Sequence, residues 1–455
     1  MFRTIPLSGL QVVAVRYIGS RPAVDDERAL DAYNASGVYK SAGVPCEIVE
    51  PAFPEDQRGE DEAANVGLLC GKIADAVAEA RRADQVALLT GGNCTHATGV
   101  LGGLQDAHGP GARIGLIWFD AHGDFNTPHT TLTGSLGGMP VAVCAGLGLP
   151  QWRERAHIAA PLPADRIVLV GPRNLDSEEE RLIRSTDVVI AAPARGFPGA
   201  DLAQSIARLA DRCDLLYLHI DADILDHSFV PNHRTGEPAG PDMGQVQAAI
   251  DTVMATGKVA ALALVSVYGA GEGSAVSVAS GIALLRAGLV SWQRYGLPSA
   301  TVEEVPFQFL EPGRLVDGDL ELVLDEKIPA NPCRRHVPVY KFKMVPVGGG
   351  EAFGQIDLRI GNPFQMLLYG GHIGYGVEPG HRGHHYAARA CRLLMPLARQ
   401  HGLHTLWITC NPENVASRRT CELAGAEFVE IVDLPSESDM YESGDRRKCR
   451  YRLDL

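Results

Sequence analysis

From its start to about residue 295 the chain alternates short apolar runs with helical stretches, and no other feature limits its fold as much. QVVAVRYI, QVALLT, RIGLIWFD, RIVLVG, LLYLHID and VAALALVSV are rich in β-branched residues and read as strands. AANVGLLCGKIADAVAEARRA and GADLAQSIARLADRC lie between them and read as helices. A βαβα order predicts a parallel sheet with helices on both faces. Such sheets bind ligands outside the carboxyl ends of their strands. The polar residues just after each strand are therefore the candidate site.

Three strand ends carry chemistry. Gly91-Gly92-Asn93-Cys94-Thr95-His96 follows the first, Asp120-Ala121-His122-Gly123-Asp124 the second and Asp221-Ala222-Asp223-Ile224-Leu225-Asp226 the third. A single Asp at a strand end usually caps a helix or turn. Two such acidic segments, each closing an apolar strand, are hard to explain by capping. Asp120, His122, Asp124, Asp221 and Asp223 would converge at one sheet edge. Carboxylates that close repel unless cations sit among them. A carboxylate-rich set with one imidazole suits a hard divalent ion such as Mn²⁺. Two such ions would follow two-metal hydrolytic logic.

DAHGDFNTP and HIDADILDHSF resemble the ureohydrolase family of arginases and agmatinases, over roughly residues 8 to 295. The resemblance implies a three-layer α/β/α fold and hydrolysis of a guanidino or amidino group with two Mn²⁺ per chain. It implies that Cys94, Asp120, His122, Asp124, Asp221 and Asp223 are metal ligands, with Asp124 also counted as catalytic. Asn126 and Thr133 fall where the family holds an amino-acid carboxylate, and Asp176 where it holds the α-amino group. An α-amino acid substrate is expected. Trimers or hexamers are common in the family, so a homo-oligomer is expected too.

Four positions depart from the family pattern. Cys94 stands where the family has histidine, and a thiolate there is softer than Mn²⁺ prefers. His96 is either a stand-in ligand or a helix-start or surface histidine. Gly137 replaces a proton-shuttling histidine. Ser266 replaces the glutamate that pairs with a guanidinium. Glu237 either compensates for that loss or holds a turn. A less basic substrate, such as an N-hydroxyguanidino or formimino amino acid, then fits better than arginine. A catalytically inactive or regulatory first domain is the alternative.

The pattern changes near residue 300. The sequence divides into a first domain at 1–297, a Pro-, Gly- and acid-rich linker and entry segment at 298–334, and a second domain at 335–455. VPVYKFKMVPV, GEAFGQIDLRIGN and HIGYGVEP read as an antiparallel meander. Then VEPGHRGHHYA opens the helix AARACRLLMPLARQHG, and a glycine-bearing loop entering a helix suits an anion such as a pyrophosphate. The strand LHTLWITC and the segment NPENVASRRTCELAGAEF follow. Those motifs resemble the GNAT acetyltransferases over about residues 335 to 454, an α+β fold.

That resemblance implies acetyl-CoA as co-substrate and N-acetylation of an amine. Val377, Arg382, Gly383, His384, His385, Tyr386 and Ala387 would hold the pyrophosphate, partly through backbone N–H groups. Asn414 would lie near the pantetheine or acetyl end, and Ser417 is also expected to bind the cofactor. Glu378 is the candidate base. Tyr441 is either the acid or an ordinary tyrosine.

Lys plus Arg number 41 and Asp plus Glu 55, a formal charge of −14 that argues against nucleic acid as a partner. The start lacks a signal-like pattern, and no run of about 18 apolar residues is seen. No membrane partner is therefore expected. Ten cysteines without paired spacing suggest reduced thiols and a cytoplasmic setting.

Overall fold

The structure is a computed structural model that describes residues 4–109, 111–299, 307–331, 336–435 and 438–455. It divides into two compact units, Met1–Val305 and Pro306–Leu455.

The first unit is built on one eight-stranded parallel sheet. Its strands are β1 (Leu10–Val15), β2 (Cys46–Val49), β3 (Val86–Gly91), β4 (Ile114–Phe119), β5 (Ile167–Val170), β6 (Val189–Ala191), β7 (Leu215–Asp221) and β8 (Val259–Val265). The order across the sheet is β2-β1-β3-β8-β7-β4-β5-β6. Every residue of β3, β4, β7 and β8 is buried, as expected of a parallel sheet covered on both faces. The edge strands β2 and β6 escape the sequence reading. All four residues of β2 are exposed and a Glu interrupts it, while β6 is three residues of a five-residue apolar stretch, 188–192, too short to be told from a helix segment by pattern.

Helices fill the crossovers. α1 (Glu62–Arg82) starts at Asp61, whose carboxylate accepts the N–H groups of Ala63 and Ala64. It packs on α2 (Ala97–His108), where Gly99 and Gly103 let the two backbones approach. A Cβ on Gly102 would overlap the Ala156 carbonyl oxygen. Gly102→Ala is expected to lower unfolding stability by about 1–3 kcal/mol, measurable by denaturant titration.

The unit continues through α3 (Ser177–Arg184), α4 (Leu202–Arg212), α5 (Met243–Met254) and α6 (Ser274–Tyr295). By length and composition α6 is apolar enough to cross a membrane, which the sequence reading overlooks because Ser, Gly and Arg286 interrupt its run. It packs in the core, with Leu284, Leu285, Leu289 and Trp292 buried and Trp292 Nε1 donating to Val259 O at 2.8 Å.

The second unit has a five-stranded antiparallel sheet of β9 (Leu315–Asp317), β10 (Leu320–Ile328), β11 (Val339–Pro346), β12 (Gly354–Arg359) and β13 (Ile373–Val377), in that order. A three-stranded antiparallel sheet, β14 (Thr405–Cys410), β16 (Arg447–Asp454) and β15 (Glu427–Asp433), follows. Its two longer helices are α7 (Tyr386–Gln400) and α8 (Val415–Ala424).

Here the reading of 298–334 as linker needs correction, because β9 and β10 lie inside it. Leu320 and Leu322 face the core while the acidic residues between and after them face outward. Judged by composition, that exposed face hides a period-two strand.

Candidate functional site

Sheet order makes residues far apart in sequence neighbours. β3, β8, β7 and β4 are adjacent, and their pairings run to Thr90↔Leu264, Val265↔Asp221 and Ile220↔Phe119, so their carboxyl ends lie level. Cys94, Ser266, Asp221 and Asp120 follow or close these strands.

The side chains form one buried cluster. Cys94 Sγ lies 2.9 Å from Asp221 Oδ2 and 3.7 Å from Asp120 Oδ2. His122 Nδ1 lies 3.2 Å from Asp120 Oδ1 and 3.1 Å from Asp223 Oδ2. His233 Nε2 lies 3.3 Å from Asp221 Oδ1. Three overlapping sets bring ligand atoms within 4.8 Å of one another: Cys94, Asp120 and Asp221; Asp120, His122 and Asp223; Asp221, Asp223 and His233. Asp124 is buried beside them with its backbone left-handed at φ 48°. Glu179 shapes this loop, since its carboxylate accepts the N–H groups of Phe125 at 2.8 Å and Asp176 at 3.2 Å. Asp226, by contrast, caps a turn, accepting from the N–H and hydroxyl of Ser228.

The electrostatics are those of a site built for cations. Burial, then Asp223, Asp124 and Asp221, push the Asp120 carboxyl well above its ordinary range. Burial also raises Asp124, against a lowering by His122, with Asp221, Glu179 and Asp223 adding to the rise. Burial raises the Cys94 thiol, and the carboxylates of Asp221, Asp124 and Asp120 raise it further. For His122 burial opposes charge, but bonds to Asp120 and Asp223 prevail and push it up to about 12. Buried His233 Nε2 has no hydrogen-bond partner of good geometry. Crowded carboxylates and an orphaned imidazole nitrogen fit a pair of divalent ions.

His96 is no stand-in ligand. It is fully buried at a helix start, its Nδ1 accepting from Asn93 N–H at 3.1 Å and its Nε2 3.0 Å from Gly19 O. The geometry that caps the segment turns the ring away from the acidic cluster.

The expected substrate residues are brought together in part. Asn126 Nδ2 donates to Asp176 Oδ2 at 3.1 Å. Asp176 is also the N-cap of α3. Thr133 is exposed and bonds locally, its Oγ1 accepting from Ser135 N–H. Glu237 Oε1 accepts from Asn174 Nδ2 at 2.6 Å and lies 3.8 Å from His122 Nε2, at the rim of the cluster. Ser266 is buried and left-handed at φ 60°, with its N–H to Gly92 O at 3.3 Å. Gly137 is half-buried and offers no side chain.

In the second unit β13 and β14 belong to separate sheets but are joined at one point. His372 N–H donates to Trp407 O at 2.6 Å and Trp407 N–H to His372 Nδ1 at 2.9 Å. The loop after β13 exposes Glu378, Arg382, Gly383, His384 and His385. Arg382 Nε donates to Val377 O at 3.1 Å. His385, in place of a glycine, is left-handed at φ 58° and leads into α7, whose first-turn N–H groups point outward from the helix start. Ala387 is buried there.

Tyr386 departs from the expected direction. Its ring stacks on Phe353 at 4.3 Å and its hydroxyl donates to Asp319 Oδ2 at 2.9 Å, leaving only its backbone for an anion. Asn414 caps α8 by accepting Ser417 N–H at 3.0 Å. Ser417 Oγ lies 2.8 Å from the Tyr375 hydroxyl. Tyr441 lies against the Arg446 guanidinium at 3.9 Å, and no described contact joins it to Glu378.

Comparison with known proteins agrees with both units. The family model described as the Arginase family matches residues 32–287. The chain belongs to the arginase family. The Acetyltransferase (GNAT) domain model matches residues 331–427. The arginase of Bacillus caldovelox is 33% identical over 164 residues, covering 35% of this chain and 54% of that protein. The N(omega)-hydroxy-L-arginine amidinohydrolase of Streptomyces lavendulae is 32% identical over 183 residues, covering 40% of this chain and 61% of that protein. These matches thus span little more than half of either relative. The crystal structure of arginase from Bacillus cereus superposes with a TM-score of 0.54 at 22% identity, over 62% of this chain and 98% of that one, a likeness of fold.

Within this arginase-family unit several site residues escape the sequence reading. Trp118 Nε1 donates to Asp120 Oδ2 at 3.1 Å, and its indole stacks on His219 at 3.6 Å. Both sit mid-strand and read as core. His233 lies in a loop without periodicity; a histidine ten residues after a strand-end Asp pair is the only signal. In the second unit Tyr375 is missed because it reads as an alternating strand residue.

Proposed function

We propose that the first unit hydrolyses an amidino-type amino acid with two Mn²⁺, and that the second N-acetylates an amine with acetyl-CoA. The observation that carries the first half is the meeting of Cys94, Asp120, half-buried His122, Asp221 and Asp223, with Asp124 buried in the loop beside them. These residues would hold the two ions, which when bound activate water and polarise the amidine carbon. Asn126 and Asp176 would orient the substrate's amino-acid end. Glu237 would lie near its cationic end, beside His122.

Ser266 offers no carboxylate to a guanidinium. An N-hydroxyguanidino or formimino group is less basic than a guanidino group and depends less on such a partner, and the Streptomyces lavendulae relative is named for an N-hydroxyguanidino substrate. For the second unit, the loop 382–385 and the start of α7 would receive the pyrophosphate of acetyl-CoA. A homo-oligomer in the cytoplasm is part of the same reading.

Purified protein loaded with Mn²⁺ is tested against arginine, N-hydroxyarginine and formiminoglutamate, with mass spectrometry of the products. N-hydroxyarginine or formiminoglutamate turnover at least about tenfold above arginine, a difference of ~1.4 kcal/mol, is expected. Gly137 and Ser266 favour a second reading, an inactive metal-binding scaffold for the acetyltransferase. Two bound Mn²⁺ with no turnover of any of the three would support it. Calorimetric titration with acetyl-CoA tests the other half, and absence of binding would refute it.

A further inference from the structure

We propose that His233 is a metal ligand, its Nε2 joining Asp221 and Asp223 around one divalent cation. The inference rests on the dinuclear reading above. It assigns a role to a residue outside the expected ligands and supplies an imidazole to a centre whose strand-end position is Cys94.

Asp221 is the pivot. Its Oδ2 faces the Cys94 thiol at 2.9 Å and its Oδ1 faces His233 Nε2 at 3.3 Å. One carboxylate thus offers an oxygen to each of two neighbouring positions, as a bridging ligand does. Asp120 divides likewise, with Oδ2 toward Cys94 and Oδ1 toward His122. The Asp221, Asp223 and His233 ligand atoms lie within 4.8 Å of one another.

His233 is held for this task. Its side chain is 4% exposed, and Nε2 is buried facing the acids without a hydrogen bond of good geometry. An unpaired buried nitrogen is costly unless something else takes its lone pair. The Tyr268 ring meets the imidazole edge-on, with centroids 5.2 Å apart and planes at 89°, which fixes the ring plane. Ligation through Nε2 requires the tautomer with hydrogen on Nδ1. That tautomer gives up the bond Nδ1 accepts from Thr235 N–H at 3.3 Å and turns its hydrogen to Thr235 Oγ1 at 3.4 Å, whose hydroxyl donates onward to Asp223 Oδ2 at 3.4 Å. Metal-bound histidines commonly have such an outer partner. His233 stands in the stretch from Asp226 to Glu237, which Asp226, Arg173 and the His227–Glu237 backbone bond tie down.

The test uses the full chain loaded with Mn²⁺. Pulsed electron paramagnetic resonance detects imidazole nitrogens coupled to the metal, so wild-type protein needs no variant to report. Two nitrogens, from His122 and His233, are expected. His233→Ala is expected to lose one and to weaken the more labile ion by about 10–100-fold or more, read as Mn²⁺ retained after dialysis. A metal-free circular dichroism spectrum and thermal melt matching those of wild type check that the first unit of the variant, which contains residue 233, is folded. A single nitrogen in wild type, or an unchanged nitrogen count and Mn²⁺ content in His233→Ala, would overturn the inference while leaving the dinuclear reading standing. Wild-type protein that binds no Mn²⁺ would overturn both.

Discussion

Asp124→Asn is expected to raise the melting temperature of the metal-free protein while reducing the proposed Mn²⁺-dependent amidine hydrolysis by at least about a hundredfold to a thousandfold. The two effects have one cause. Burial raises the pKa of Asp124; His122 lowers it, and Asp221, Glu179 and Asp223 add to the rise, so that the net shift is upward. A group whose pKa is raised by folding contributes stability below its unfolded value and loses it as pH rises. At neutral pH the metal-free fold therefore carries a penalty, and every tenfold weakening of the acid amounts to about 1.4 kcal/mol. Asparagine has nearly the same shape, tolerates the left-handed backbone at φ 48° and removes the charge.

With Mn²⁺ present the sign reverses. Ions at a hundred times their dissociation constant stabilise the fold by about 2.7 kcal/mol, and a variant that has lost a ligand forgoes part of that. Thermal unfolding with and without Mn²⁺, beside a hydrolysis assay, gives all the measurements. A lower melting temperature in chelator, relative to wild type, would contradict the account.

Legibility in the sequence follows physical signals. Asp120, His122, Asp221 and Asp223 are legible because each lies at the end of an apolar strand, where the parallel-sheet rule places ligands. Their convergence needs the strand order, which puts β3, β8, β7 and β4 side by side. His233 and Thr235 are not legible: they sit in an irregular loop whose path only tertiary packing determines. Tyr386 falls within a legible motif, yet its ring points into the core, because Phe353 and Asp319 come from other strands and turns that the motif does not encode. Asn414 is legible as a motif residue, and its visible contact is a helix cap.

The second large effect concerns where the acetyltransferase unit begins. A chain starting at residue 331, where the GNAT match begins, is expected to fail to fold, whereas one starting at 306 is expected to fold and bind acetyl-CoA. Residues 307–330 contain β9 and β10. β10 pairs with β11 from Leu320↔Pro346 to Ile328↔Val339, so its loss strips one edge of β11 of its ladder. Leu315, Leu320 and Leu322 are core residues, and Phe309 packs edge-on to Tyr340 with centroids 5.0 Å apart. Each buried leucine contributes about 1.5–3 kcal/mol, and a whole domain is stable by only about 5–15 kcal/mol.

The loss also reaches the proposed pyrophosphate site. Asp319 accepts from the Tyr386 hydroxyl and pairs with Arg389 Nη1 at 2.7 Å, while Asp317 pairs with Arg389 Nε at 3.0 Å. These bonds tether the first turn of α7 to the β9–β10 turn. Asp317→Ala with Asp319→Ala in the full chain should therefore weaken acetyl-CoA binding without unfolding the sheet. Circular dichroism and calorimetric titration of both truncations and the double variant decide the matter. A soluble, acetyl-CoA-binding fragment starting at 331 would show that β9 and β10 are dispensable, since the remaining strands and α7 would then suffice to hold the loop.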